Sequence, residues 1–221
     1  NNSLLLSYSP VWAHSEERPE AAQPVISPES IPTMEELYLT GLHLEQYRHA
    51  TFEPETYYLE GLRRDPEDSR INTAYGLLLL RRGLFSESEK HFRKAIERIT
   101  WKNPNPYNSE PFYYLGVCLF FQERYSEAYD AFFKATWSNA EQEMSFFYLA
   151  KIATRKKNYS EALDFVNRSL IKNSHNMLAR DLKAIILGKL NLKQEALSCL
   201  SENLEIDPFD YLSLFEKSRL D

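Results

Sequence analysis

Side chains that could do chemistry are scattered along this sequence and form no recognisable catalytic or metal-binding motif. Cys118 and Cys199 are far apart in the sequence and belong to no CxxC pair, so we expect buried or half-buried reduced thiols. The closest histidines, His43 and His49, are six residues apart, a spacing that does not place them on one helical face. We therefore predict no metal site and no cofactor.

Signatures of hydrolases and nucleotide-binding enzymes are also missing. The sequence has no GxSxG, no HExxH and no glycine-rich phosphate loop, and its six glycines occur singly. Neighbouring carboxylates, such as Glu141 with Glu143, are typical of solvated helix faces. We therefore expect no catalytic residue and predict that the chain is not an enzyme.

Composition argues against nucleic-acid and membrane partners. The net charge is −6 and the isoelectric point is near 5.5, and no basic stripe is present, whereas nucleic-acid binders usually have one. The short run 155–157 is explained by cations at a helix C-terminus. No apolar run approaches the roughly 20 residues of a membrane span. Because no signal peptide is recognisable and the cysteines read as reduced, we expect a cytoplasmic protein.

The elements that would position any site begin after residue 33. Residues 1–33 hold five of the 11 prolines, which disfavour helix, so we predict an extended arm in which 3–8 could form one short strand. From Met34 the apolar residues recur with a helical period. Thr33 is placed to cap the first helix, since Glu35 and Glu36 follow in its first turn.

Small and large residues then recur in three series that share one set of steps along the chain. One small series is Gly76, Gly116, Ala150 and Ala184. The other is Ser88, Ala128, Ala162 and Ala196. The large series is Phe92, Phe132, Val166 and Leu200. In every series the second and third steps are equal, and the first is longer by six extra residues at 103–108, which read as a loop. Small residues let antiparallel helices approach closely, and we expect serines at 86, 126 and 160 to cap each second helix.

This period and layout resemble the tetratricopeptide repeat, a 34-residue helix–turn–helix unit. The resemblance implies an all-α superhelical solenoid over 34–221, with an amphipathic C-terminal helix at 209–220 that caps the stack. The units are 35–68, 69–102, 109–142, 143–176 and 177–210. Some residues depart from the family pattern. Asn72 and Arg180 replace a large residue, and the weakest unit has Pro54 at a small-residue position after a short first helix.

A narrower resemblance rests on the stretches 36–51, 103–107 and 134–137. They look like the C-terminal repeat region of large bacterial proteins in which a β-rich domain of unknown function precedes the repeats. That resemblance implies that 1–33 is a remnant next to such a domain. Trp101, Tyr107 and Trp137 near the loop would then be candidates for stacking on a sugar, although we favour their packing the loop against the second helices.

In the tetratricopeptide-repeat fold the first helices line a concave groove, and the family pattern assigns groove positions in each unit. The candidate partner-binding residues are Arg81, Tyr113, Phe120, Phe147, Lys151, Arg155 and Lys189; Glu110 and Asp181 also fall at groove positions. This mixture suits a protein or peptide partner with apolar anchors and an acidic end. The family's carboxylate clamp is absent, because Thr73 and Leu77 occupy its positions.

We therefore predict a non-catalytic scaffold that binds a partner segment, or a neighbouring domain, in its groove. One alternative is a helical accessory region of a larger carbohydrate-related bacterial protein. Another is a structural role in which residues 1–34 occupy the groove.

Overall fold

A computed structural model describes residues 6–10, 23–47 and 51–220 of the chain. Over these residues the chain forms eleven α-helices and no strand, so the predicted all-helical solenoid is confirmed. None of these helices is long and apolar enough to cross a membrane. The helices are α1 (Met34–Tyr47), α2 (Pro54–Arg64), α3 (Ser69–Arg81), α4 (Phe85–Thr100), α5 (Glu110–Phe121), α6 (Tyr125–Ala135), α7 (Gln142–Arg155), α8 (Tyr159–Lys172), α9 (Met177–Lys189), α10 (Lys193–Ile206) and α11 (Tyr211–Leu220).

Consecutive helices pack as antiparallel pairs that stack on one another. The pairs are α1 with α2, α3 with α4, α5 with α6, α7 with α8, and α9 with α10, and each second helix also packs on the next first helix. First helices contact first helices along the array, as α1 does with α3 and α3 with α5. They therefore form one layer, and the second helices form the other.

In four of the helical pairs, the turn between the two helices contains one residue with a left-handed backbone conformation. These residues are Gly83, Glu123, Lys157 and Asn191, with φ angles of 77°, 61°, 63° and 60°. In each turn the N–H of the next residue reaches a carbonyl in the last turn of the helix, as Arg124 N does with Leu119 O at 2.9 Å. This is the Schellman ending, and it recurs with the repeat, because the four positions follow the same steps as the three residue series.

The prediction that serines cap the second helices is wrong. Helices α4, α6 and α8 begin at the aromatic residue before each serine. Their N-cap residues, which make no side-chain capping bond, are Leu84, Arg124 and Asn158. The Schellman turn leaves a single residue between the left-handed position and the helix, so the serine falls inside the first turn. At α1, by contrast, Thr33 caps the helix as predicted: its Oγ1 accepts from Glu36 N at 3.2 Å and donates to the Glu36 carboxylate at 3.1 Å.

The small-residue series lies where the paired helices come closest. A Cβ added at Gly116 would lie 2.7 Å from the Phe132 ring, and one at Gly76 would lie 2.8 Å from the Phe92 ring. The second small-residue series and the large series are fully buried. Small residues on the first helix thus receive the large residue of the second, as the three matched spacings predict.

The first helical pair follows the same rule with a shifted register. Helix α1 spans 14 residues, so the prediction of a short first helix is wrong. Gly41 receives the Tyr58 ring, since an added Cβ there would lie 2.5 Å from it. Pro54 is buried in the first turn of α2, where its missing N–H breaks no helical bond.

The end of the N-terminal arm is anchored to this first pair. Ile31 is buried with Leu37 and Leu44. The hydroxyl of Tyr57 donates to Ile26 O at 2.9 Å, and the guanidinium of Arg64 donates to Ile31 O at 2.6 Å. Residues 23–33 therefore lie against α1 and α2. Of the predicted strand, residues 3–5 lie outside the described residues, and residues 6–8 are exposed and not in a strand.

Hydrogen bonds replace apolar contacts at the two polar departures from the family pattern. Asn72 is fully buried; its Nδ2 donates to Pro66 O at 3.0 Å and to Asp68 O at 2.9 Å. Arg180 Nε donates to Asn203 Oδ1 at 2.7 Å. The polar groups of both side chains have hydrogen-bond partners, so the two helices of each pair pack together without the large apolar residue of the family pattern.

Helix α11 packs on α10 and α9, and its inner face is polar. Ser213 is fully buried, and its hydroxyl donates to Asp181 Oδ1 at 2.9 Å. Leu220 contacts the apolar cluster of α9 and α10. The large apolar side chains point outward instead, and these exposed residues are Tyr211, Leu212, Leu214 and Phe215. Helix α11 begins one repeat length after α9, so it occupies the position of a first helix. In the complete units the second helix covers the corresponding face of the first helix, and on α11 this face is exposed.

Candidate functional site

The first helices present an inner face, which we call the groove. Ion pairs join neighbouring first helices across it: Arg70 lies 2.5 Å from Glu35, and Arg81 pairs with Glu45. Between α1, α3 and α5 the groove deepens into a recess of about 740 Å³, and Glu110 lines its far wall. Charges of both signs therefore lie along the groove.

Aromatic rings from α5 and α7 form the middle of the groove. The Phe120 and Tyr148 rings are 5.2 Å apart and meet edge to face, and the Tyr113 and Tyr148 rings are 6.3 Å apart. Tyr148 also stacks on Phe132 at 4.7 Å. Phe120, Tyr113 and Tyr148 are half-buried, so each has one side in the core and one side open. Edge-to-face contact is a favoured arrangement of aromatic rings.

Lys151 lies over this aromatic cluster. Its Nζ is 4.8 Å from the Phe120 ring centre, 5.1 Å from Tyr148 and 5.4 Å from Phe147. No carboxylate of the described chain pairs with this ammonium group within 4 Å. Burial lowers the pKa of Lys151, because partial removal from water disfavours the charged form. The groove thus contains a half-desolvated cation that is held by aromatic faces.

The remaining predicted cations are all exposed, but they differ in whether their charge is paired. Arg155 lies 4.5 Å over the Tyr125 ring and is exposed. Lys189 is exposed at the last residue of α9. Arg81 is exposed as well, but its charge is already paired with Glu45. Lys151 and Arg155 therefore offer uncompensated positive charge beside the aromatic cluster, whereas Arg81 offers little.

Two predicted aromatic anchors are largely structural. Phe147 is only 6% exposed and belongs to the main apolar core. Tyr113 packs against that core as a half-buried residue, and burial raises the pKa of its hydroxyl. Phe147 consequently supports the surface from beneath, while Tyr113 and Phe120 present ring area to it.

Carboxylates occupy the groove next to the aromatic cluster. Glu110 and Glu141 are half-buried, and neither has an ion-pair partner within 4 Å among the described residues. Burial raises the pKa of both, and the charge of Glu110 raises that of Glu141 further. The expectation that Glu141 is a solvated surface charge is therefore wrong, because Glu141 lies close enough to Tyr113 and Tyr114 to raise their pKa values.

Sequence reasoning missed Tyr148, and it gave no special role to Glu110 and Glu141. Tyr114 and Tyr148 are one repeat length apart, but Ala74 and Leu182 occupy the matching positions of the neighbouring units, so no aromatic series marked them. Glu110 falls at a groove position of the family pattern, but its partial burial follows from the helices around it. Glu141 ends a short 3-10 turn before α7, which no repeat pattern predicts.

Three exposed aromatic residues lie in or near the loop at 103–108. Tyr107 is 99% exposed, Trp101 is 71% exposed and Trp137 is 61% exposed. The favoured interpretation that these rings pack the loop against the second helices is therefore wrong. Lys134 lies 3.9 Å over the Trp137 ring and its Nζ donates to Asn105, so a lysine connects the loop to α6.

Both cysteines of the chain are in unreactive surroundings. Cys118 and Cys199 are buried free thiols, and burial raises the pKa of Cys118 to about 11, which keeps it protonated at neutral pH. No three histidine, cysteine or carboxylate side chains of the described ranges lie close enough to hold a metal ion.

Comparisons with known proteins agree on the fold. Residues 55–104 match the family model of the tetratricopeptide repeat. A solved structure of pilF from Pseudomonas aeruginosa superposes with a TM-score of 0.71 at 20% identity and covers 85% of this chain and 82% of its own. YrrB, described as a TPR protein with an unusual peptide-binding site, superposes with a TM-score of 0.68 at 19% identity, covering 86% and 93%. A tetratricopeptide repeat protein from Parabacteroides merdae has a TM-score of 0.68 at 16% identity, covering 85% and 72%.

Proposed function

We propose that this tetratricopeptide-repeat solenoid is a non-catalytic interaction module that holds a segment of a protein partner in its groove. One observation carries the proposal: Lys151 lies on three aromatic rings and has no carboxylate partner within 4 Å among the described residues. A half-buried charge without an internal partner is costly, and a carboxylate from a bound segment would offset that cost.

The surroundings of Lys151 suit a peptide better than a small metabolite. Phe120 and Tyr113 expose ring area beside it, which favours apolar side chains as anchors. Arg155, four residues further along α7, extends the positive charge. An acidic residue that binds near these cations and an apolar residue that packs on the rings would be held by two separate interactions. The expected ligand is therefore a segment with apolar anchors and an acidic end.

The fold gives this proposal a precedent. YrrB shares the solenoid and is described as having a peptide-binding site. A stacked helical array offers a long continuous surface, which is the feature that extended partners use. Both cysteine thiols are buried, and the described residues form no recognisable catalytic set, so surface rather than catalysis is the property to test.

Peptide display tests the proposal directly. The full chain is used to select binders from a random peptide library, and the affinities of the enriched peptides are measured by fluorescence polarisation. Lys151→Glu should weaken binding at least tenfold, because it reverses the charge at the centre of the site. Lys193→Glu, at an exposed position at the start of α10, makes the same charge change in the other layer and should leave affinity within twofold.

Two results would count against the groove as the binding surface. Enriched peptides whose affinity is the same for Lys151→Glu and for the unchanged chain would place binding elsewhere. Equal losses for Lys151→Glu and Lys193→Glu would indicate a general charge effect instead of a site.

We propose as a narrower second candidate that the helices support a β-rich, carbohydrate-related domain of the same polypeptide. The exposure of Trp101, Tyr107 and Trp137 on the loop side favours it, because exposed aromatic rings are common where a domain or a sugar docks. The native reading frame upstream of residue 1 tests this idea. A start codon immediately before that residue would exclude it, and a β-rich upstream domain would support it.

A further inference from the structure

The groove has two regions of opposite charge on either side of its aromatic middle. Lys151 and Arg155 lie on the second half of α7. Glu110 begins α5, and Glu141 immediately precedes α7. The groove is therefore acidic at the starts of these first helices and basic towards the end of α7, with the rings between.

Neither charged region is neutralised from within the described chain. The groove arginines of α3, Arg70 and Arg81, form ion pairs with Glu35 and Glu45. No cation of the described residues lies within 4 Å of Glu110 or Glu141. Tyrosine rings surround the two carboxylates: Glu110 raises the pKa values of Tyr38 and Tyr114, and Glu141 raises those of Tyr113 and Tyr114. Arg70 and Arg81 act on the same tyrosines, but they already pair with Glu35 and Glu45, and the neutral Asn108 hydrogen-bonds Glu110. Two half-buried carboxylates beside tyrosine rings provide both charge and a cation–π surface for an alkylammonium or a guanidinium group.

The two regions are separated by a distance that one short segment can span. Glu141 and Lys151 are ten residues apart in sequence, which corresponds to roughly 15 Å along α7 at the helical rise. An extended peptide covers that distance in about four to five residues. A partner carrying both charges on one short stretch would therefore reach both regions at once.

We propose that the groove binds a bipolar segment: a lysine or arginine contacts Glu110 and Glu141, apolar side chains cover Tyr113 and Phe120, and an aspartate or glutamate contacts Lys151. This inference rests on the proposed function and adds the basic residue, the order of the charges and their spacing of about four to five residues. Complementary charges at both ends fix the register and direction of the bound segment, so reversing the order of the charges weakens binding.

The test uses peptides enriched from a random 12-residue display library by the full chain. They should carry a lysine or arginine about four to five positions from an aspartate or glutamate. The double variant Glu110→Gln with Glu141→Gln keeps side-chain size and removes the charge, and it should weaken binding at least tenfold. Replacing the basic residue of the peptide with norleucine should cause a similar loss with the unchanged chain and little further loss with the double variant.

A matched control removes two exposed carboxylates from the second helices, Glu87→Gln with Glu195→Gln, and should change affinity by less than twofold. Urea unfolding of both double variants verifies that the fold is kept. Peptides that bind well without a basic residue, or that bind the Glu110→Gln and Glu141→Gln variant unchanged while losing affinity with Lys151→Glu, would overturn this inference and leave the proposed function standing. A library that yields no binder, or binders indifferent to every groove variant, would overturn both.

Discussion

Replacing Asp181 with asparagine should stabilise the C-terminal end of the solenoid at neutral pH. Asp181 is 5% exposed, and its Oδ1 accepts from Ser213 Oγ at 2.9 Å and from Asn203 Nδ2 at 3.2 Å. The carboxyl group of Asp210 lies beside that of Asp181. Asp210 Oδ2 is buried and accepts no hydrogen bond from an amide or hydroxyl group of the described residues. Asparagine at position 181 keeps an acceptor for Ser213 and adds an N–H for Asp210.

The size of the gain follows from the pKa of Asp181. Burial first, and then the neighbouring Asp210, raise it from 3.8 to about 6. With this shift, ionising the carboxyl group costs about 3 kcal/mol more in the folded chain than in the unfolded chain. Rearrangement of Asp210 and entry of water recover part of that cost, so we expect the Asp181→Asn variant to be about 1–2 kcal/mol more stable at pH 7.5.

The pH dependence has a defined sign. Because the folded pKa of Asp181 lies above the unfolded value, the folded chain holds an extra proton between about pH 4 and 6. The stability that this proton provides is present at low pH and is lost as the pH rises through about 6. The Asp181→Asn variant lacks this loss, so its advantage should be large at pH 7.5 and small at pH 4.5.

Urea unfolding followed by circular dichroism at the two pH values measures the difference. Asp207→Asn is the control, since Asp207 is an exposed aspartate in the turn that holds Asp210, and its Oδ1 accepts from Phe209 N at 2.9 Å. It should change the free energy of unfolding by less than about 0.5 kcal/mol at either pH. An Asp181→Asn variant that is less stable at pH 7.5, or that gains equally at both pH values, would refute the reasoning.

Two further predictions concern the repeat geometry, and urea unfolding measures both. Gly116→Ala should destabilise by about 1–3 kcal/mol, because its Cβ would lie 2.7 Å from the Phe132 ring. Gly188→Ala is its control: the nearest atom would be 3.8 Å away, so the better helix propensity of alanine should stabilise by up to about 1 kcal/mol. Equal effects at the two glycines would contradict the packing argument. Lys157→Gly should stabilise by about 0.5–1 kcal/mol, since φ is 63° there and glycine removes the left-handed strain; a destabilised variant would show that this strain is absent.

The repeat was readable from sequence because its signal is periodic and local. Gly116 and Phe132 belong to matched series, and their contact follows from helices that must approach closely. The loop at 103–108 and the turns between helices follow from the same spacing. Helix starts were less predictable, because the left-handed residues Glu123 and Lys157 are not glycines and so were not recognised. The turns that they form start each second helix before the serine that was expected to cap it.

The candidate site was predictable only in part, because charge and burial depend on neighbouring repeats. The family pattern assigned Lys151 to a groove position, but it predicted neither the contact of Lys151 with three rings nor the burial of Phe147. That Arg81 is paired depends on Glu45, a contact between residues 36 apart in sequence. The outward apolar face of α11 also escaped prediction, since an amphipathic pattern shows that a face exists without showing which side the preceding helices cover.

The most direct test of the account is where a display-selected peptide binds, as shown by amide chemical-shift changes on isotope-labelled protein. The account predicts the largest changes on α5 and α7 around Tyr113, Glu141 and Lys151. Changes confined to the second helices, or to the loop at 103–108, would contradict the claim that the groove is the binding surface.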